Sequence, residues 1–362
     1  MRKSLIAAVM PLAVLCSHAV GGNLSASVKP VLMGDNARLP KIAIITTGGT
    51  IAQKKDETGA AVPAVSGVAL ISAVPDLLTK ANVEIYSLCN EDSSRIKPEV
   101  WLRLAKLVDK LVKRKDISGV IVTHGTDTMA EAAFFVDACT STKKPVVFVG
   151  AMRDASDMSP DGPENIMNAM VQAVSPDAKG WGVTVTLNQF VNSAYTVRKT
   201  NTNNVETFNS GESGYLGYIS TGKVIKYNRP MQDICIGLPE KLEQRVELFM
   251  SYAGCDGKAI RRAVDSGVKG LVIEAVGSGN VQENVYKAIK YAKSKGVVVV
   301  VTTCVPDGPM IPAYGGPGGG ATMAKEGIIL SRYLRARKAR LLLMLALSNK
   351  MPEDQIAKLF QH

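Results

Sequence analysis

The stretch KIAIITTGGTIA (Lys41–Ala52) decides how this chain is read. Its first half is an unbroken run of apolar and β-branched residues, the pattern of a strand buried on both faces of a parallel sheet. Its second half turns on Gly48 and Gly49 and delivers Thr50 at the strand's carboxyl end. Glycine permits a tight turn and a close backbone approach. The same design recurs in GVIVTHGTDTM (Gly119–Met129), where Thr126 and Asp127 follow Gly125. In open α/β sheets, ligands bind outside the carboxyl ends of the strands. Two threonine hydroxyls delivered there, beside unpaired backbone N–H groups, are the layout of a small-substrate hydrolase using threonine chemistry.

Outward from these two turns, strand and helix patterns alternate at βαβ spacing. Strands are expected at Lys41–Thr47, Val83–Leu88, Gly119–Thr123, Pro145–Gly150 and Gly182–Asn188. Helices are expected at Gly67–Thr79, Pro98–Lys113, Thr128–Cys139 and Pro163–Val174. The second of these carries Trp101, Leu102, Leu104, Ala105, Val108 and Leu111 on one face, as packing on a sheet requires. Tyr215–Tyr227 reads as a hairpin turning at Thr221-Gly222. A polar, proline-containing lapse, residues 231–244, reads as a linker. Beyond it come strands at Arg245–Tyr252, Gly270–Glu274 and Gly296–Thr302, with helices at Lys258–Ser266, Asn280–Ser294 and Ala336–Leu347. YGGPGGG (Tyr314–Gly320) reads as a flexible loop. The expected fold class is α/β in two domains, on a chain of 362 residues that is long enough for two cores. The larger N-terminal one (40–230) has a mainly parallel sheet with flanking helices; the C-terminal one (245–362) is a smaller α/β unit.

The first residues follow different rules. Arg2 and Lys3 precede an apolar run from Leu5 to Leu15, and Ser17-His18-Ala19 resembles a cleavage site. That is a signal peptide over 1–22, which implies export to the periplasm. Lipidation at Cys16 is the rival reading. No later apolar run is long enough to span a bilayer, so no membrane partner is expected after processing. Without Cys16, five cysteines remain, none at C-x-x-C spacing, which argues against a disulfide framework or structural zinc. The net charge of +11 has one dense stretch, Arg332–Arg340, and aromatic residues are too few to interleave with it. A basic solvated surface is expected there, with no nucleic-acid partner. The histidines are His18, His124 and His362, so any Ser-His-Asp or Cys-His site must use His124, and a histidine-rich metal site is excluded. No cofactor or metal is expected.

Each candidate residue has an ordinary use. Thr50 can be a turn threonine or helix cap, and Asp127 can cap a helix beginning at Thr128. A carboxylate at Asp127 can instead bind an ammonium group or hold a lysine that serves as a base. Lys199, in RKTNT (Arg198–Thr202), is the candidate; read alone it is a surface lysine.

Taken together, TTGGTIA, THGTDTM, KPVVFVGAMR (Lys144–Arg153), SPDGPENIMNA (Ser159–Ala169) and KTNT resemble the bacterial L-asparaginases of the exported, type II-like kind. The resemblance runs from about Lys41 to the end, including KARLLLMLAL near the C-terminus. It implies that Thr50 is the nucleophile forming an acyl-enzyme, and that Thr126, Asp127 and Lys199 activate water and bind substrate. It implies that Ser93, with Ser94 beside it, holds the α-carboxylate and Asp127 the α-ammonium. Gly49, Gly125 and Ala151 complete the expected substrate-binding set, and the Thr126 N–H is an oxyanion donor. Ser278 stands where asparagine occurs in many relatives, at a contact between subunits of a homotetramer. The implied substrates are L-asparagine and, secondarily, L-glutamine.

This chain departs from the family pattern in three places. Ile51–Ile85 contains no tyrosine, an acidic residue from the neighbouring subunit is not evident near Tyr314-Gly315, and Ser278 replaces asparagine. These departures keep two alternatives open: a glutaminase-asparaginase preferring glutamine, and a periplasmic amino-acid-binding protein that has lost turnover.

Overall fold

A computed structural model of the chain describes residues 28–58, 61–63, 66–231 and 234–361. The expected signal peptide lies outside the described residues.

The first domain is built on a nine-stranded sheet. Its strands are β1 (Val31–Met33), β2 (Lys41–Thr46), β5 (Asn82–Ser87), β6 (Ile117–Thr123), β7 (Val146–Val149), β8 (Val183–Leu187), β9 (Phe190–Ser193), β12 (Gly217–Ser220) and β13 (Lys223–Lys226). They lie in the order β1-β5-β2-β6-β7-β8-β9-β12-β13. The run from β5 to β8 is parallel, and the strands outside it are antiparallel. Two short ribbons stand apart: β3 (Gln53–Lys55) with β4 (Ala61–Pro63), and β10 (Arg198–Lys199) with β11 (Phe208–Asn209). The second domain is a parallel sheet in sequential order: β14 (Val246–Met250), β15 (Gly270–Ala275), β16 (Val298–Thr303) and β17 (Ile329–Leu330).

Helices cover both faces of the first sheet. α1 (Gly67–Ser72) and α4 (Gly162–Val174) take one face; α2 (Pro98–Lys113) and α3 (Met129–Cys139) take the other. Strand β2 shows why its sequence is unbroken apolar. Ile42 and Ile44 enter the α1/α4 core, Ala43 and Ile45 enter the α2/α3 core, and all four are fully buried. Each of the three isoleucines contributes about 1.5–3 kcal/mol when withdrawn from water, and Ala43 less. Helix α1 ends before the expected Thr79, because Pro75 cannot continue it and a separate 3-10 turn, Pro75–Thr79, follows.

The second domain adds α5 (Lys258–Asp265), α6 (Glu283–Ser294), α7 (Gly320–Lys325), α8 (Ala336–Ser348) and α9 (Glu353–Leu359). Helix α8 ties the second domain to the first. It packs on β14, β15 and β16 while meeting α3 of the first domain, so Val246, Val272, Val300, Leu342 and Phe134 share one apolar cluster. The segment after β13 also packs inward, with Ile234 and Leu242 buried and the Ile236 N–H donating to the Ala138 carbonyl.

Two further expectations change. Tyr314–Gly320 is a hydrogen-bonded turn: Gly319 N–H reaches Gly316 O, Val281 N–H reaches Gly318 O, and Ala321 N–H reaches Tyr314 O. The basic stretch Arg332–Arg340 is not a solvated strip. Arg335, Lys338 and Arg340 turn inward onto backbone carbonyls, leaving Arg332 and Arg337 exposed.

Candidate active site

The parallel strands of the first sheet follow the order 2-1-3-4-5 in sequence, with growth reversing at β2. Connections from β2 and β6 therefore leave in opposite directions and open a crevice at their carboxyl ends. Both glycine–threonine turns stand there. They are joined at the base, where Thr47 donates its N–H and its hydroxyl (2.9 Å) to the Thr123 carbonyl.

The turns touch through their glycines. Gly49 has φ +86°, and a Cβ there would lie 2.2 Å from the Gly125 Cα. A Cβ on Gly125 would lie 2.7 Å from the Ser93 hydroxyl oxygen. Gly49, Gly125 and buried Ser93 thus form one contact surface that no larger residue could share. The Ser93 segment is held from two sides. Thr128 donates its hydroxyl to the Ser93 carbonyl (2.9 Å), and the Gln53 amide donates to the Asp92 carboxylate. Ser94, the next residue, is exposed.

Thr126 is buried, and its hydroxyl receives a hydrogen bond from Lys199 Nζ at 3.0 Å. The same ammonium lies 2.7 Å from Asp127 Oδ1. Lys199 comes from β10, more than seventy residues further along, so the sequence-level grouping of Thr126, Asp127 and Lys199 is brought together in space. Asp127 does not cap α3, whose N-cap is Thr128, and its side chain is 65% exposed. One carboxylate oxygen holds the lysine, and the group still faces solvent. On the other turn, Thr50 is half-buried in a short 3-10 turn, and its hydroxyl has no hydrogen-bond partner among the described residues.

His124 is not part of this set. It is fully buried: Trp101 Nε1–H approaches its Nε2 at 3.4 Å, and its Nδ1 lies 2.8 Å from the Gly125 carbonyl. Indole only donates and a carbonyl only accepts, so Nδ1 carries the proton and the ring is neutral. Burial lowers its pKa to about 4, against the opposing pull of the Gly125 carbonyl. His124 therefore braces the second turn and cannot serve as the base of a Ser-His-Asp or Cys-His site. Cys89 is similarly spent: its thiol donates to the Thr47 carbonyl, and burial pushes its pKa up to about 12.

Sequence reasoning missed two residues behind Ala151. The Asp161 carboxylate accepts the N–H groups of Met152 and Arg153, and Asn165 donates to both Asp161 and the Gly150 carbonyl. They fix the turn after β7, where buried Ala151 sits. Asp161 stands at the N-cap of α4 yet its side chain caps no N–H of that helix, so a capping pattern in the sequence would have given it the wrong partner.

Ser278 is not brought to these residues within the chain. Its hydroxyl is engaged by its own domain, donating to Ile311 O (2.7 Å) and accepting from Ile311 N–H (2.9 Å). A cavity of about 340 Å³ between the domains is lined by Asp127, Lys199, Asp307, Arg335 and Lys338, but not by Thr50, Ser93 or Ser278. The two domains are clamped beside it by Arg198, which donates to Asp307 (2.6 Å) and to the Pro306 carbonyl. Among the described residues no group of three His, Cys, Asp or Glu side chains could hold a metal.

Comparison with known proteins converges on one group. Residues 41–232 match the family model described as asparaginase, N-terminal, and residues 245–360 match the glutaminase/asparaginase C-terminal domain. The chain belongs to the asparaginase family. It is 36% identical over 331 residues to L-asparaginase 2 of Bacillus subtilis, covering 89% of this chain and 86% of that protein. It is also 36% identical to the probable periplasmic L-asparaginase of Haemophilus influenzae, covering 91% and 95% of the two chains. The crystal structure of a probable cytoplasmic L-asparaginase from Campylobacter jejuni superposes with a TM-score of 0.79 at 36% identity, covering 89% of this chain and 99% of that one. As an enzyme, then, this asparaginase-family chain stands among amidohydrolases, and its two-sheet α/β architecture is the one its structural neighbour shares.

Proposed function

We propose that this enzyme hydrolyses L-asparagine to L-aspartate and ammonia through a threonyl ester, with slower hydrolysis of L-glutamine. The carrying observation is the position of Lys199 Nζ against both Thr126 and Asp127, on a turn packed against that of the unpartnered Thr50 hydroxyl. Thr50 Oγ attacks the side-chain amide carbon, and the Thr126 N–H receives the oxyanion that develops. The C–N bond breaks, the hydroxyl proton leaves with the nitrogen as ammonia, and the acyl group remains on Thr50. Water, activated beside Thr126 and Lys199, then splits the ester and restores the threonine. Asp127, with its exposed face, binds the substrate α-ammonium, and Ser93, at the seam of the two turns, binds the α-carboxylate; the exposure of the one and the contact of the other with Gly125 support this reading.

Two further parts of this reading rest on separate observations. Met250, Tyr252, Val276, Ile311 and Tyr314 are exposed around Ser278 on the second domain, an apolar surface suited to a second copy of the chain and hence to a homotetramer. Periplasmic residence is supported by the leader pattern in the sequence and by the relative named periplasmic.

Ammonia release from asparagine and from glutamine, measured on wild type and Thr50→Ala, tests the assignment. The variant should lose about 10³-fold or more in turnover while retaining substrate binding. Turnover within about tenfold of wild type removes Thr50 as nucleophile. Tight binding of asparagine by a wild type that releases no ammonia would favour the binding-protein alternative.

A further inference from the structure

We propose that Lys338, a residue of α8 in the second domain, is a positioning residue for Lys199: it holds the segment leading into β10 so that the Lys199 ammonium stands between Thr126 and Asp127. This inference rests on the reading of Lys199 given above.

The geometry is convergent. Lys338 Nζ donates to the carbonyls of Ala194 (2.8 Å), Tyr195 (3.0 Å) and Val197 (2.5 Å). An ammonium has three N–H donors, and all three are used here on one four-residue stretch. The N–H groups of Ala194 and Val197 bond within the first domain, to Val183 O and Ser193 O. The carbonyls turn the other way, toward the domain boundary. Ala194, Tyr195 and Val197 are buried, and a buried carbonyl without a partner is costly; a single side chain from the other domain satisfies these three. Arg198 and Lys199 follow directly.

The surroundings of Lys338 keep it in place. Its Nζ lies over the Phe134 ring, 5.8 Å from the centroid, and Phe134 packs against Tyr195. Some of the side chain stays accessible, yet the ammonium is densely enclosed by protein, and that burial pushes its pKa down to about 7. Glu131 and Asp137 of α3 oppose the shift, and Arg198 adds to it. Three carbonyl oxygens at hydrogen-bond distance also favour the charged form. No substrate or reacting atom is needed to explain Lys338; its reach ends on the backbone that carries Lys199.

The test separates positioning from bulk stability. In Lys338→Met, kcat for asparagine should fall about 10- to 100-fold, because misplacing a catalytic group by about 1 Å costs on that order. KM should stay within about threefold, since Asp127 and Ser93 belong to other segments. Added to Lys199→Met, the same change should cost less than about twofold, because the group it positions is already gone. If Lys338→Met does not fold, Lys338→Arg serves. A planar guanidinium cannot converge on the same three oxygens, and kcat should fall about three- to tenfold with KM unchanged. A folded Lys338→Met, or Lys338→Arg if only that folds, with wild-type kcat overturns the inference, as does a full multiplicative loss on the Lys199→Met background. Should Lys199→Met itself keep wild-type turnover, the reading of the site fails first and the inference falls with it. A loss in Lys199→Met with none in Lys338→Met removes the inference alone.

Discussion

The parallel core of the first sheet runs β5-β2-β6-β7-β8 and changes direction at β2, while the second sheet runs β14-β15-β16-β17 with no change. Both are apolar, both are covered by helices on two faces, and both end several strands in short polar loops. Only the first leaves a crevice where adjacent connections part. Its two glycine–threonine turns face each other there, and even they are unequal. The Thr126 hydroxyl is held by a lysine; the Thr50 hydroxyl is held by nothing among the described residues. The second sheet contributes by bracing, through α8 and the loop 305–308, which reach the segment around Arg198 from outside. Similar α/β parts thus do different work according to strand order.

The inequality of the two threonines gives the largest expected effect after loss of Thr50 itself. Lys199→Met and Thr126→Val should each lower turnover by about 10²-fold or more, and the double variant should be little worse than either. Steady-state assays on the four proteins decide it: losses that simply multiply would mean that the lysine and the second threonine act separately.

The bracing of the second turn can be broken with acid. His124 is neutral and buried at a pKa of about 4, below its ordinary 6.5. Between those values the unfolded chain binds a proton that the folded chain refuses, so this residue's contribution is lost as pH falls from 6.5 toward 4. The whole window corresponds to about 3 kcal/mol. Denaturant unfolding at a series of pH values should show the decline, and His124→Gln should flatten it. An equally steep decline in the variant would assign the effect to other groups.

The smallest effect sharpens the role of the second sheet. Ser278→Asn should shift the ratio of asparagine to glutamine hydrolysis toward asparagine, within the range of about 1–3 kcal/mol that one methylene commands. An unchanged ratio would leave Ser278 as a local brace on Ile311.

How much of this was legible beforehand follows from where the information lies. Strand β2 and helix α2 declare themselves in a few consecutive residues, because periodicity and burial coincide there. The glycine–threonine turns were equally plain, and THGTD and KTNT together named the residues that meet at Lys199. Short edge and ribbon pieces such as β1 and β3 were missed: at three residues each, they are defined by pairing with distant partners. The bracing residues were missed for the same reason. Lys338 and Arg335 stand in a run that reads as a basic surface, and nothing local says that their partners are carbonyls from elsewhere in the fold. Asp161 and Asn165 stand in SPDGPENIMNA, and nothing local in that motif assigns them a task, because what they serve is the backbone of Gly150–Arg153.

The contact between Gly49 and Gly125 has a consequence for how the protein folds. The two turns are bonded through residues 76 positions apart, Thr47 and Thr123, and each turn leaves just enough room for the other. Neither can take its final shape alone, so the site cannot be half assembled. The seam between the turns comes into existence when β2 and β6 register along their length and vanishes when they separate. Recovery of activity during refolding should therefore track the pairing of these two central strands rather than the formation of helices, making catalysis a clock for a long-range contact in the first domain.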